Sequence, residues 1–258
     1  MANSSSPIGL YDSGFGGLTV WRAIRDRLPK ESMIYLGDGL NCPYGSKSRE
    51  MIEEYADRAV GELLAAGCKM VVVACNTATA AAIESLRAKY TDVDIVGMEP
   101  AVKPACLATK SGVVGVLATE RSLEGDLFHR TAARYSDKVR VIARFGAGFV
   151  EIVESDKEQS EEAEQRVREI VGPMVAEGVD QIVLGCSHYP FLIPVFRRVA
   201  PEVNIIDPSP AVARRVEQLL EAKGLLFKGD VSEASYEFLS FAGDEYRERL
   251  RRKAMMNR

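Results

Sequence analysis

Short apolar segments alternate with amphipathic stretches along most of the chain. The first half has four apolar segments that predict β-strands: IGLY (8–11), MIYLG (33–37), MVVVA (70–74) and DIVGM (94–98). The periodicity between them predicts helices near 17–28, 48–66 and 78–89. Fully apolar strands that alternate with helices are typical of a parallel sheet covered by helices on both faces.

The same pattern starts again near residue 112. Its predicted strands are GVVGVLA (112–118), VRVIARFG (139–146), QIVLG (181–185) and VNIID (203–207). Helices are predicted near 122–135, over 159–177 and after Pro190, with FVEIVE in a loop before the second of them. Both halves therefore follow one plan, which ends in strand, cysteine, helix and strand. This plan predicts two similar α/β lobes.

The remaining segment predicts a helix over 210–223, a short strand near 234–240 and a terminal helix. It is too short for a third core, so we expect it to pack on the first half. The predicted domains are 1–98 with 209–258, and 99–208. The predicted fold is α/β, with two pseudo-symmetric domains, each a mostly parallel sheet flanked by helices. The active site is expected in the cleft between them.

Composition excludes several classes of protein. The 258 residues are 47% hydrophobic and 27% charged, with a net charge of −4, so neither a nucleic-acid partner nor a membrane partner is expected. No apolar run approaches the ~20 residues of a membrane span, and the start MANSSSPIG lacks the features of a signal peptide. Five scattered cysteines and no CxxC pair favour a reduced cytoplasmic protein without a metal site.

A cysteine follows the most apolar strand, in VVVACNTATA. Cys75 is expected near the start of a helix, where a thiolate is favoured, and Asn76 and Thr77 are suitable N-cap residues. Taken alone, a cysteine at a strand end is more often a packing residue than a catalytic one.

The second half repeats this junction in QIVLGCSHYP. There Cys186 ends a strand and is followed by Ser187 and His188, and a histidine at this position is a candidate acid or base. Ligands of open α/β sheets bind at the carboxyl ends of the strands. The two matching junctions predict that Cys75 and Cys186 face each other across one pocket.

Other strand ends carry groups suited to a small polar ligand. The DSGFGG segment (12–17) brings Asp12 and Ser13, and its glycines also suggest a dinucleotide fingerprint with Asp38 near the ribose position. Thr19 occupies the third glycine position, and Asp12 would repel a pyrophosphate, so we favour an ammonium ligand or acid/base chemistry. The segment CPYGSKS offers Tyr44 and Gly45. In the second half, LATERS offers Thr119.

Two thiols on opposite sides of a carbon atom can invert it, because one removes a proton from one face while the other returns a proton to the opposite face. The neutral donors around them suit carboxylates, and Asp12 suits an amino group. From the residues alone we therefore predict a cofactor-independent racemase or epimerase of a small amino or hydroxy acid.

The motifs DSGFGGLTV, PYGSKS, ACNTATA, GVLAT and GCSHYP together resemble the glutamate racemase family. The resemblance implies pyridoxal-independent interconversion of L- and D-glutamate in the cytoplasm, for peptidoglycan synthesis, by a homodimer without a cofactor. By resemblance, Cys75 deprotonates D-glutamate and Cys186 L-glutamate, while Asp12 and His188 assist them and Glu154 lies near His188. The substrate contacts that it implies are Asp12, Ser13, Tyr44, Gly45, Asn76, Thr77, Thr119, Ser187 and His188.

This chain departs from the family pattern in places. Ser187 replaces a threonine, GDGLNCPYG differs from the frequent DTARxPYG, and GAGFVEIVE lacks the Cys–Pro usual before its glutamate. Three alternatives stay open: a related substrate such as aspartate, a hydantoin or maleate; a ligand-binding protein without catalysis; and a redox disulfide between the two cysteines.

Overall fold

A computed structural model of the chain describes residues 3–98, 101–124, 133 and 138–256. The chain forms two compact units. The first combines Met1–Met98 with Ser209–Arg258, and the second is Glu99–Pro208.

The secondary structure follows in chain order. The strands are β1 (Ile8–Asp12), β2 (Met33–Gly37), β3 (Met70–Val73), β4 (Asp94–Gly97), β5 (Val113–Ala118), β6 (Arg140–Phe145), β7 (Gln181–Gly185), β8 (Asn204–Ile206) and β9 (Tyr236–Ser240). The helices are α1 (Leu18–Arg27), α2 (Arg49–Ala65), α3 (Asn76–Lys89), α4 (Val102–Ala108), α5 (Glu120–Glu124), α6 (Phe149–Glu154), α7 (Glu161–Ala176), α8 (Ile193–Val199), α9 (Ser209–Ala222) and α10 (Asp244–Met255).

The first unit is built on a parallel sheet of order β4-β3-β1-β2-β9. Every residue of β1, β2 and β3 is buried, as expected for strands covered on both faces. The C-terminal segment supplies the edge strand β9, which pairs with β2 in the register Met33 with Tyr236 to Gly37 with Ser240. The last segment of the chain therefore completes the sheet that the first segment begins.

The second unit contains a parallel sheet of order β6-β5-β7-β8. Read as β8-β7-β5-β6, this order repeats β4-β3-β1-β2 of the first unit, so the predicted internal repeat is present in the strand order. All eight strands predicted in the two halves occur within one residue of their predicted bounds. The prediction of two α/β units with parallel sheets flanked by helices is confirmed.

Some elements differ from the prediction. Helix α4 was not predicted; it accommodates Pro104 because that residue lies in the first turn, where a backbone N–H is not needed. The FVEIVE segment, predicted as a loop, is helix α6, which begins after Gly148 at a left-handed φ of 82°. The helix predicted near 122–135 is present as α5 up to Glu124, and 125–132 and 134–137 lie outside the described residues.

No helix in the described part of the chain combines the length and the apolar character that crossing a membrane requires.

Candidate active site

In the first unit the strand-end thiol lies at a helix N-terminus. Cys75 is the N-cap of α3, and its Sγ accepts a hydrogen bond from the backbone N–H of Ala78 over 3.4 Å. The prediction that Asn76 and Thr77 cap this helix is wrong, because both already lie within its first turn. The cysteine sulfur itself takes the position of a capping oxygen, where an N–H donor and the helix dipole favour a thiolate.

The adjacent strand β1 brings Asp12 and Ser13 to the same edge of the sheet. The Cys75 thiol donates to Ser13 Oγ over 3.7 Å, and Asp12 Oδ1 accepts from the backbone N–H of Gly14 over 2.8 Å. Asp12 is fully buried. Tyr35 fixes the same loop by donating its hydroxyl to the Gly14 carbonyl over 2.7 Å. The start of the DSGFGG segment is therefore held in place beside the thiol.

Asn76 and Thr77 are both buried beside Cys75. Among the described residues, Asn76 Oδ1 has no hydrogen-bond partner. A buried amide oxygen without a partner costs free energy unless a ligand or water supplies a donor. This oxygen is therefore suited to accept a hydrogen bond from a bound ammonium or hydroxyl group.

Tyr44 belongs to a buried chain of hydrogen bonds that the sequence did not reveal. Tyr11 donates its hydroxyl to Tyr44 over 2.6 Å, and Tyr44 donates to Asp38 Oδ2 over 2.6 Å. Asn41 Nδ2 lies within hydrogen-bond distance of both Asp38 oxygens, at 3.1 and 3.0 Å. Because its carboxylate is engaged in this way, Asp38 is not available to a ribose, which counts against the dinucleotide interpretation. Gly45 follows in the 3₁₀ turn Tyr44–Ser46.

The two phenols in this chain of hydrogen bonds, Tyr11 and Tyr44, stay protonated at neutral pH. Burial raises the pKa of Tyr11 well above its usual value, and negative charge on Cys75 raises it further. Burial likewise raises the pKa of Tyr44, with Tyr11 and Asp38 adding to the effect. The side chains next to the thiol therefore act as hydrogen-bond donors and not as bases.

In the second unit the strand-end thiol has a different partner. The Sγ of Cys186 lies 3.9 Å from His188 Nδ1, and His188 Nε2 lies 2.6 Å from Glu154 Oε1. The His188 side chain is 2% exposed and the Glu154 side chain 19%. Helix α6 ends at Glu154, so the element that was predicted as a loop is the one that brings this carboxylate to the imidazole.

This row of thiol, imidazole and carboxylate can move a proton. A carboxylate bonded to one ring nitrogen fixes the tautomer and orientation of the ring and stabilises its protonated form, which leaves the other nitrogen to exchange a proton with the sulfur. An imidazolium beside a cysteine also favours the thiolate.

The end of β5 lies next to β7 and carries Thr119. Its Oγ1 donates to Ser122 Oγ over 2.8 Å, and Thr119 and Ser187 are both buried. Tyr189 donates its hydroxyl to the carbonyls of Ala118 and Gly146, over 3.2 and 3.3 Å. Burial raises the pKa of Tyr189, and negative charge on Cys186 raises it further. A buried phenol therefore lies near the thiol in each unit.

Two of the other cysteines, Cys68 and Cys106, have raised pKa values. Burial raises the pKa of Cys68 to about 12, with a smaller contribution from the charge of Glu237. Burial also raises the pKa of Cys106, and Cys42 is half-buried. None of the five cysteines, all of which lie in the described ranges, forms a disulfide. Cys186 directly follows β7, and Cys75 lies two residues after the end of β3, so these are the two cysteines found at the carboxyl end of a strand.

Comparison with known proteins agrees with this arrangement. The Asp/Glu/Hydantoin racemase family model matches residues 19–216 of the chain. The chain is 47% identical over 224 residues to glutamate racemase of Roseiflexus sp. (strain RS-1), which covers 86% of this chain and 82% of that protein.

Two crystal structures show the same fold. Glutamate racemase from Thermus thermophilus in complex with β-chloro-D-alanine is 32% identical, with a TM-score of 0.82 over 98% of this chain and 94% of that chain. Escherichia coli glutamate racemase in complex with L-glutamate and the activator UDP-MurNAc-Ala is 30% identical, with a TM-score of 0.79 over 91% of this chain and 98% of that chain. The chain therefore belongs to the Asp/Glu/hydantoin racemase family, among its glutamate racemases.

Proposed function

We propose that this protein interconverts L-glutamate and D-glutamate without a cofactor, and that Cys75 and Cys186 are the two bases. The observation that carries the proposal is the pair of buried thiols at the ends of β3 and β7, which occupy equivalent positions in two sheets of the same strand order. The glutamate racemases to which the chain is similar support glutamate as the substrate.

In the direction from D- to L-glutamate, the Cys75 thiolate removes the α-proton and becomes a thiol. The electron pair of the broken C–H bond stays on the α-carbon, in conjugation with the carboxylate. The Cys186 thiol then donates its proton to the opposite face and becomes a thiolate. The reverse reaction starts from this second protonation state, so one proton is removed and one is returned in each direction.

The partners of each thiol suggest how its proton is managed. On the Cys186 side, His188 assists the thiol and Glu154 holds the imidazole, consistent with the 2.6 Å contact between them. On the Cys75 side we assign the assisting role to Asp12, with the Ser13 hydroxyl as a hydrogen-bond donor to the thiolate.

We assign substrate binding to polar groups at the same strand ends. The Oδ1 of Asn76, which has no hydrogen-bond partner among the described residues, suits the ammonium group, as does the Asp12 carboxylate. Hydroxyl groups and backbone N–H groups suit the two carboxylates. The proposed substrate contacts are Asp12, Ser13, Tyr44, Gly45, Asn76, Thr77, Thr119, Ser187 and His188. We further propose a cytoplasmic homodimer that supplies D-glutamate for peptidoglycan synthesis.

The proposal is tested by circular dichroism of L- or D-glutamate mixed with purified protein and no added cofactor. Cys75→Ser and Cys186→Ser should each lower kcat by about 10³-fold or more, because a serine hydroxyl is a far weaker acid and its alkoxide is not populated at neutral pH. Cys68→Ser and Cys106→Ser are the matched controls in the two units and should keep most of the activity. Retention of activity by either catalytic variant would overturn the two-base mechanism.

The substrate is tested separately by exchange of the α-proton with deuterated water, followed by NMR. Wild-type protein should exchange glutamate rapidly and aspartate slowly or not at all. Faster exchange with aspartate or with a hydantoin would keep the chemistry and replace the proposed substrate.

A further inference from the structure

The C-terminal helix α10 packs against the DSGFGG segment of the first unit. The ring of Tyr246 stacks on Phe15, with centroids 4.8 Å apart and planes 11° apart. Phe15 is fully buried and lies two residues after Ser13, whose hydroxyl contacts the Cys75 thiol. A residue near the end of the chain is thus joined to the site by one aromatic contact.

Two cations of the same helix face add to this contact. Arg249 Cζ lies 4.8 Å from the Phe15 ring centroid and 5.9 Å from that of Tyr246, and Lys253 Nζ lies 5.3 Å from that of Phe15. Positions i, i+3 and i+7 share one face of a helix, so these three side chains converge on Phe15. Stacking and cation–π attraction both favour a single position for the Phe15 ring.

Tyr246 also packs on a second loop of the site. Gly39 lies so close to the Tyr246 ring that a Cβ at this position would overlap it. Gly39 follows Asp38, which accepts the hydrogen bond from Tyr44. One side chain therefore touches the loop after β1 and the loop after β2, and these loops carry Ser13 and Asp38.

Helix α10 is itself fixed in place. The buried guanidinium of Arg22 in α1 donates to the backbone carbonyls of Lys253 and Ala254 near the end of α10. Leu250 and Ala254 are fully buried beneath the helix. Two of the last carbonyls of the helix accept hydrogen bonds from Arg22, and its apolar face is buried. The helix therefore holds Tyr246 with little freedom to move.

We propose that Tyr246 is a positioning residue for the Cys75 half of the site and acts through Phe15 on Ser13. This inference rests on the proposed function of Cys75. Removal of the ring leaves Phe15 without its stacking partner, so the loop after β1 is held mainly by the hydrogen bonds at Gly14. The Ser13 hydroxyl is then held less closely beside the sulfur.

Tyr246→Ala should lower kcat/KM by about five- to tenfold, because the largest loss that a displaced Ser13 hydroxyl can cause is that of its hydrogen bond to the thiolate. The loss should be the same in both directions, because the two enantiomers have equal free energy. Tyr246→Phe keeps the stacked ring and should stay within about twofold of wild type. Gly39→Ala pushes on the same ring from the other loop and should lower activity as Tyr246→Ala does.

Tyr236→Ala is the matched control. Tyr236 is also half-buried and packs edge-to-face on Trp21, but it lies at the start of β9, at the opposite end of the same sheet. Its truncation should lower the melting temperature about as much as Tyr246→Ala does while leaving kcat/KM within about twofold of wild type, because it touches no strand-end loop of the site.

A second readout does not depend on turnover. The rate at which iodoacetamide alkylates Cys75 is followed against pH by mass spectrometry, with Cys68 as a slow internal reference. In Tyr246→Ala the pH at the midpoint of the Cys75 alkylation profile should rise by about half a unit or more, because the thiolate loses a hydroxyl donor. Tyr246→Phe and Tyr236→Ala should leave it unchanged.

An unchanged midpoint in Tyr246→Ala would overturn this proposal, whatever happens to the activity. A shifted midpoint in a protein whose wild type racemises nothing would support the positioning of Cys75 by Tyr246 and would overturn the proposed function instead.

Discussion

The two strand-end thiols occupy equivalent places in two sheets of the same order, yet their partners differ. Cys75 caps a helix, receives a backbone N–H at 3.4 Å and has a serine hydroxyl 3.7 Å away. Cys186 instead faces an imidazole 3.9 Å away, which is held by a carboxylate. The repeated fold fixes where each sulfur lies, and the residues that follow each strand fix how its proton is handled.

This difference implies that substitutions affect the two halves of the site in different ways. The Cys186 half depends on a titratable partner, so it should be sensitive to the loss of a proton carrier. The Cys75 half depends more on fixed donors and a helix N-terminus, so it should be sensitive to geometry.

Among the partners of the two thiols, the largest effect is expected from His188→Asn, which removes the proton carrier of Cys186. Racemisation should fall by about 10²- to 10⁴-fold, the usual contribution of a general acid or base. Exchange of the D-glutamate α-proton with deuterated water should fall much less, because Cys75 is intact. The measurement compares polarimetry with NMR exchange on one sample, and an equal loss in both would contradict the division between the two halves.

Helix α6 carries two glutamates, one that contacts His188 and one that serves as its control. Glu154→Gln should lower racemisation by about tenfold, since a neutral amide holds the imidazole less strongly. Glu151→Gln changes an exposed residue on the same short helix and should leave the rate unchanged.

A smaller effect is expected from Ser13→Ala on the Cys75 side. Loss of the hydrogen bond from this hydroxyl to the charged thiolate costs about 1.5 kcal/mol, so kcat/KM should fall by about tenfold. Ser122→Ala, which removes a hydroxyl bonded to Thr119 in the second unit, is a comparable serine substitution. A loss from Ser13→Ala as large as that from His188→Asn would contradict the proposed difference.

The smallest effect on catalysis is expected from Cys68, which precedes the strand that Cys75 follows. Its pKa, raised from 9.0 to about 12 by burial, means that the folded protein keeps a proton that the unfolded chain releases. This contribution to stability is fully present below pH 9.0 and is lost as the pH rises towards 12. The free energy of unfolding, measured in urea, should decline from about pH 9 to pH 11. Cys68→Ala should make this decline smaller by about 1 kcal/mol per pH unit.

Activity at neutral pH should be nearly unchanged in Cys68→Ala. If the free energy of unfolding falls with pH at the same slope in the two proteins, this thiol ionises in the folded state as easily as in the unfolded chain.

Much of the fold could be predicted because its signal is local. Strands buried on both faces are apolar at nearly every position, so QIVLG and MIYLG were located to the residue. The position of the two thiols followed from the same signal, since each lies within two residues of the end of such a strand. Helix α6 was missed because six residues are too few to establish a helical period.

The details of the site could not be predicted in the same way. Local sequence favours Asn or Thr as a helix cap, yet the strand end places Cys75 there. The chain of Tyr11, Tyr44 and Asp38 joins residues from β1 and the loop after β2, and nothing in their local pattern indicates that contact.

The sequence by itself determined the strands, their alternation with helices, the repeat of the plan and the two thiols at strand ends, because all of these depend on neighbouring residues. Only the tertiary structure decided that β9 joins β2, that Glu154 reaches His188 and that Tyr246 rests on Phe15. These contacts join distant parts of the chain. They depend on packing and on hydrogen bonds between elements, which no local period of hydrophobic and polar residues records.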